Sequence, residues 1–182
     1  KLLELVLHKN YFEFNEQLYL QTGGTAMGTK CAPSYANLFM GHIEKHLIDS
    51  FDLKPTLWLR FIDDIFFVWP HGEESLTAFL THANNLHPTI KFTSEHSRVQ
   101  LNFLDTTVKI DPISREIYTT LYSKPTDTRD FLHYSSSHPH NTKIGGPYGQ
   151  FLRVRRICTK DSDYNRESHK LLMAYIRRGY PM

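Results

Sequence analysis

Twelve residues, Trp58 to Trp69 (WLRFIDDIFFVW), constrain this chain more than any other stretch. Two adjacent carboxylates, Asp63 and Asp64, sit between two runs of large apolar and aromatic residues. Each run is rich in strand formers and too short for a helix of its own. The simplest local structure is a β-hairpin with Asp63-Asp64 at or near its tip. Burying carboxylates is costly unless a cation or hydrogen bonds offset the lost hydration. An aspartate pair carried on an apolar hairpin therefore suggests a divalent-metal site. The plainer alternative is a polar turn on an exposed hairpin, because Asp is common in turns. The dipeptide alone favours that alternative, so its surroundings have to decide.

Upstream, Leu2, Leu3, Leu5 and Val6 read as the end of an amphipathic helix over residues 1–9. Residues 11–21 read as two short strands turning near Asn15-Glu16. Gln21 to Pro33 follows, a loop with three glycines and many small residues that permit close backbone approach. It lacks the Lys-Ser/Thr ending of a phosphate-binding loop. Pro33 suits a first helical turn. Ala36, Phe39, Met40, Ile43 and Leu47 then recur at helical spacing over residues 33–49, a core-facing stripe.

Downstream, residues 72–87 read as a helix with Leu76, Phe79, Leu80, Ala83 and Leu86 on one face. Thr89–Ser94, Val99–Ile110 and Glu116–Tyr122 read as strands, the last pair turning at Asp111-Pro112. The order gives an α+β layer, an antiparallel sheet with helices on one face, over residues 1–123. From Lys124 the character changes. A loop-like segment leads to two helices, about 148–159 and 163–178, stopped by Gly179 and Pro181. Pairing across a short turn makes residues 124–182 a small helical, helix-turn-helix-like unit.

A net charge of +2 excludes a uniformly basic surface. Charge is uneven, however: Arg153, Arg155, Arg156, Lys160, Arg166, Lys170, Arg177 and Arg178 crowd the last third. A local basic face fits a polyanion partner, and a solvated helix surface fits equally. Two distant cysteines make neither a disulfide framework nor a four-ligand zinc site, which points to a reducing compartment. No apolar run is long enough to span a membrane, so no membrane partner is expected. The chain opens on Lys1 inside an apparent helix, so a fragment of a longer protein is expected.

Taken in order, these motifs carry a family resemblance. A Gln-x-x-Gly…Met-Gly…Ala-Pro loop and helix precede an aromatic-x-Asp-Asp hairpin, and Phe-Leu-Asp follows. The series resembles the palm of reverse transcriptases, most closely those of Penelope-like retroelements. Residues 21–40 are similar to motif B, Phe61-Ile62-Asp63-Asp64 to motif C, Ile90-Lys91-Phe92-Thr93 to motif D, and Asn102-Phe103-Leu104-Asp105 to the primer-grip hairpin, motif E. Tyr134 to Pro181 resembles the thumb-like helical region that follows. The resemblance covers nearly the whole chain.

It implies RNA-directed DNA synthesis by two-metal nucleotidyl transfer, with Mg²⁺ (or Mn²⁺), an RNA template, a DNA primer and deoxynucleoside triphosphates. Asp63 is the first choice for direct metal ligation and Asp64 a weaker or outer-shell ligand. Gln21, Gly24, Met27, Gly28, Lys30 and Lys91 are implied nucleotide or template contacts. Phe103, Leu104 and Asp105 are the implied primer grip, and Arg153, Arg155 and Arg156 implied contacts to nucleic-acid backbone. A nuclear location is implied ahead of a cytoplasmic one. The family's earlier metal-binding aspartate, motif A, has no counterpart, because no aspartate occurs before Asp49. The fingers and an endonuclease domain have no counterpart either. The chain alone is therefore expected to be inactive. The competing readings are a non-catalytic nucleic-acid-binding remnant and, more weakly, a protein-interaction domain.

Overall fold

A computed structural model describes residues 1–181. The fold is α+β, and it divides into two compact units, Lys1–Ser94 and Glu95–Met182. The boundary drawn from sequence character at 123/124 falls inside the second of these. The units also divide the charge. The first has seven Lys/Arg against ten Asp/Glu, a net −3; the second has fourteen against nine, a net +5.

In the first unit, α1 (Leu2–His8) has no buried residue and leads into the hairpin β1 (Tyr11–Phe14) and β2 (Gln17–Leu20). Asn15 and Glu16 both take positive φ, 52° and 62°, the signature of a type I′ turn. The glycine-rich loop then enters α2 (Ala32–Ser50), with a proline in its first turn as expected. Of the expected apolar stripe, Ile43 and Leu47 are buried, whereas Ala36 and Phe39 lie exposed. Next come β3 (Leu57–Phe61) and β4 (Asp64–Val68), then α3 (Glu73–Leu86).

The core of this unit is Leu47, Phe79 and Ala83, with Phe51, Trp58, Phe67, Trp69 and Leu86 packed against it. Phe79 is 1% exposed, and its ring centroid lies 5.3 Å from Phe51, 6.2 Å from Trp58 and 4.7 Å from Trp69. One face of the hairpin is thereby held against the helices.

In the second unit, β5 (Gln100–Phe103), β6 (Thr106–Ile110) and β7 (Ile117–Leu121) form an antiparallel sheet in that order. It packs with α4 (His140–Ile157) and α5 (Asp161–Arg177). Val154, Cys158, Leu171 and Tyr175 make the core, with Leu121, Phe131, Phe151, Tyr164 and Tyr180 around it. Thr119 on β7 donates its hydroxyl to the Ile157 carbonyl at 2.5 Å and accepts from the Thr159 amide at 3.0 Å. The end of α4 is thus fixed to the sheet edge.

Helix α5 ends in a Schellman motif. The Gly179 amide donates to Ile176 O at 2.9 Å and the Tyr180 amide to Tyr175 O at 3.2 Å, with Gly179 at φ 82°. The rings of Tyr175 and Tyr180 meet at 5.0 Å, which is the apolar contact that accompanies this motif.

Three expectations are corrected. There are three separate small sheets rather than one layer. Val99–Ile110 is a hairpin that turns at Leu104-Asp105. Thr89–Ser94 is no strand. The Asn84 side chain accepts from the Phe92 amide at 2.6 Å and donates to the Phe92 carbonyl at 3.1 Å. A side-chain amide therefore satisfies the backbone groups that a ladder would have used.

Helix α4 also begins earlier than expected, before Gly145, Gly146 and Pro147. Its first turn is anchored by Lys143, whose ammonium donates to Ser136 O at 3.2 Å and lies 5.2 Å from the Tyr134 ring centroid. A Cβ at Gly149 would meet nothing within 4 Å. Gly149→Ala is therefore expected to stabilise the chain by about 1 kcal/mol, since Gly is that much poorer in an exposed helix interior. Gly146→Ala is expected to gain less or lose, because a Cβ before Pro147 disfavours helical backbone. Urea unfolding of the two variants measures the difference.

Candidate metal-binding hairpin and basic helix pair

The paired register of β3 and β4 is Trp58↔Phe67, Arg60↔Ile65 and Phe61↔Asp64. The turn is thus Ile62-Asp63, and Asp64 opens the second strand. Alternation along the strands puts Trp58, Arg60, Ile65 and Phe67 on the face toward the helices. The opposite face carries Leu59, Phe61 and Asp64, all exposed. Ile62 has φ 58°. For a β-branched residue this is a strained conformation, of order 1–3 kcal/mol, that persists only where its surroundings impose it.

Asp63 and Asp64 are both exposed, and neither carboxylate pairs with a described side chain. No desolvation cost is at stake, and no cation among the described residues pairs with either carboxylate. Two free carboxylates on a tight turn fit Mg²⁺. That ion keeps several waters and takes one or two carboxylates plus substrate phosphates rather than a full protein cage. No group of three or more His, Cys, Asp or Glu that could hold a metal ion converges among the described residues.

The residues that hold this turn were not marked by the motif series. Glu44 on α2 accepts from Trp58 Nε1 at 2.9 Å and pairs with Arg60 Nε at 2.8 Å. Arg60 Nη1 donates to Asn37 Oδ1 at 2.7 Å and to the Ile62 carbonyl at 3.0 Å, and Nη2 donates to Asn37 O at 3.3 Å. The one available signal was a lone arginine at an inward position of an apolar strand.

The remaining implied contacts in this unit are spread over two segments. In the loop, Gln21 donates to Gly23 O at 2.8 Å, and Gly24 and Gly28 take φ 72° and 91°. Met27 and Lys30 are exposed there. Lys91 donates its ammonium to the Asn84 carbonyl near the end of α3 at 2.5 Å, so its charge is engaged with a helix C-terminus.

In the second unit, the turn Leu104-Asp105 repeats the pattern of Ile62-Asp63, an aliphatic residue at positive φ (54°) before an aspartate. Phe103 is half-buried and Leu104 exposed. Asp105 is brought together with Arg153, whose Nε and Nη2 reach Oδ2 at 2.7 and 2.5 Å. Arg155 pairs with Asp161 at 2.6 Å and lies 5.1 Å from the Tyr164 ring. Arg156 is exposed with no partner among the described residues, and so is Arg177. Most of the basic face is therefore already paired.

A buried acidic pair on α5 organises much of that pairing. Glu167, 5% exposed, accepts from Lys170 at 2.8 Å and Arg166 at 3.1 Å, with Arg129 at 3.7 Å. Asp163 pairs with Arg166 at 2.6 Å. Lys160 pairs with Asp111 at 2.7 Å and covers the Tyr118 ring at 3.9 Å.

Residues 130–182, which include both helices and the turn Cys158-Thr159-Lys160, match the family model of the animal helix-turn-helix domain. No curated protein and no solved structure matches the chain.

The acidic side chains set a pH dependence. Burial raises the Glu167 carboxyl, but hydrogen bonds from Lys170 and Arg166 outweigh it, leaving its pKa below the ordinary 4.5. Asp111 is lowered from 3.8 to about 2, chiefly by the Lys160 hydrogen bond and then by the Ser114 and Ile113 amides. A depressed carboxylate stabilises the fold above its unfolded pKa and stops doing so as pH falls through the folded value. The urea midpoint is therefore expected to fall between about pH 5 and pH 2. Asp111→Asn and Glu167→Gln are each expected to flatten part of that limb, and Glu167→Gln to lower the midpoint at pH 7 as well.

Proposed function

We propose that this chain carries part of the palm of an RNA-directed DNA polymerase, similar to the reverse transcriptases of Penelope-like retroelements, followed by a helical nucleic-acid-binding unit. The observation that carries this reading is the Ile62-Asp63-Asp64 turn, with two unneutralised carboxylates on a hairpin clamped to the helix of the glycine-rich loop. When bound, Mg²⁺ (or Mn²⁺) supplies the charge that eases attack by the primer 3′-oxygen and departure of pyrophosphate. Asp63 would hold the metal directly, and Asp64 would be the weaker or outer-shell ligand. The left-handed glycines, Gly24 and Gly28, let a nucleotide or template approach the backbone closely, with Gln21, Met27 and Lys30 around them. Phe103 and Leu104 are the primer-supporting residues of this reading. Asp105 acts there by holding Arg153. The setting is intracellular, nuclear ahead of cytoplasmic.

The reading also assigns a deficit. No aspartate precedes Asp49, so the acidic set stops at two carboxylates. Primer extension by these 182 residues with Mg²⁺ or Mn²⁺ is expected to give no product. A longer protein with an upstream aspartate-bearing strand is expected to extend a primer, and to lose at least 10³-fold of that rate on Asp63→Ala, about 4 kcal/mol of barrier. Robust extension by the short chain, or an active Asp63→Ala, would contradict the reading.

A second reading, a non-catalytic nucleic-acid-binding module, is favoured by the helix-turn-helix match and the +5 charge of the second unit. Under either reading, a cation contributes to the salt dependence of binding only if it is free to meet a phosphate. Arg156→Ala is expected to reduce the log–log salt slope by about 1. Arg153→Ala is expected to leave it nearly unchanged, because Arg153 already faces Asp105. Titration of a labelled duplex at several salt concentrations measures both.

A further inference from the structure

We infer that Arg60 is the positioning residue of the Asp63-Asp64 turn: its guanidinium locks the turn to α2. This rests on the metal-site reading for its consequence, but not for its geometry. Three observations carry it. First, Ile62 is held at φ 58° although its side chain is 55% exposed, so its own packing does not impose the conformation. Second, Arg60 Nη1 donates to the Ile62 carbonyl, fixing the peptide plane that leads into Asp63. Third, the same guanidinium is largely buried, at 13% side-chain exposure; its Nε lies 2.8 Å from Glu44 as an ion pair without a hydrogen bond, and both Nη atoms donate to Asn37.

The fork geometry matters. The Nη donors of a guanidinium spread over one plane and serve Asn37 and Ile62 together while its charge stays beside Glu44; an ammonium has three donors at one point and cannot span them. Asn37 and Glu44 lie two helical turns apart on α2, on one face. Arg60 therefore couples two turns of the helix that follows the glycine-rich loop to the peptide that aims the carboxylates. A carboxylate pair must be held within a fraction of an ångström to ligate well.

The test uses the whole chain and two variants. Arg60→Lys keeps a charge for Glu44 and the fold, yet loses the fork. Asn37→Ala removes one anchor and leaves the ion pair. Amide exchange by NMR is read at Asp64 beside the turn and at Phe66, the next hydrogen-bonded ladder position of that strand, and Mn²⁺-induced broadening is read at Asp63 and Asp64. We expect Asp64 exchange to accelerate at least tenfold in Arg60→Lys, and less in Asn37→Ala, while Phe66 is unchanged. We also expect the Mn²⁺ concentration for half-broadening to rise several-fold in Arg60→Lys. Unchanged Asp64 exchange in Arg60→Lys would overturn the assignment, as would equal acceleration at Phe66. Absence of Mn²⁺ broadening in the wild-type chain would instead overturn the metal-site reading, with the exchange data still deciding the role of Arg60.

Discussion

The first unit depends on the burial of one ring. Phe79, on α3, is the point at which a two-stranded hairpin and two helices become one body. It touches Phe51 after α2, Trp58 on β3, Phe67 on β4 and Trp69 just beyond β4. An isolated two-stranded hairpin is marginal in water and needs a helix or a third strand to pack against. Here the helices supply that support on one face only. The face bearing Asp64 therefore stays exposed, and the carboxylates stay hydrated. The same packing brings Trp58 close enough to α2 for its indole N–H to need a partner, and Glu44 accepts it. Once Glu44 is fixed there, Arg60 two residues along β3 finds its charge partner in the same carboxylate. The polar clamp on the turn is thus a consequence of the aromatic packing, not an alternative to it.

The second unit is held differently. Its sheet meets α5 partly through polar groups: Thr107 and Thr120 are buried, as are Asp163 and Glu167. Buried carboxylates are tolerable only when donors surround them. Arg166, Lys170 and Arg129 do so for Glu167. The arginines that look in sequence like a face prepared for a polyanion are in good part the counter-ions of these acids.

Legibility in the sequence follows from range. Features fixed by neighbours along the chain are readable: the β1–β2 turn from Asn15-Glu16, the Asp-Asp hairpin from its two short runs of strand-forming residues, the stop of α5 from Gly179. The structure sharpens the hairpin: the turn is Ile62-Asp63, and Asp64, beside the tip, opens the strand. Features fixed by distant partners were not readable. Nothing near Glu44 announces that it will meet Trp58 and Arg60, which are 14 and 16 positions on. Thr89–Ser94 has strand-like composition, and only the Asn84 amide, one element back, removes it from a ladder. Likewise Gly145-Gly146-Pro147 argues locally against helix, and the anchoring of Lys143 to Ser136 and Tyr134 overrides it.

The two aspartate turns show why local pattern and role have to be argued separately. Ile62-Asp63 and Leu104-Asp105 share an aliphatic residue at positive φ followed by an aspartate, each closing a two-residue hairpin. Their backbone φ values are alike, 58° and 54°, and so are their sequences. What differs is the partner of the carboxylate. Asp105 meets the fork of Arg153 and is neutralised by it. Asp63 meets no cation among the described residues, and Arg60 spends its fork on the Ile62 carbonyl and on α2 instead. An arginine that grips the peptide rather than the carboxylate leaves the negative charge available while still fixing its direction. Under the proposed metal-site reading the first turn can receive a cation from outside, whereas the Asp105–Arg153 pair closes the carboxylate of the second to one.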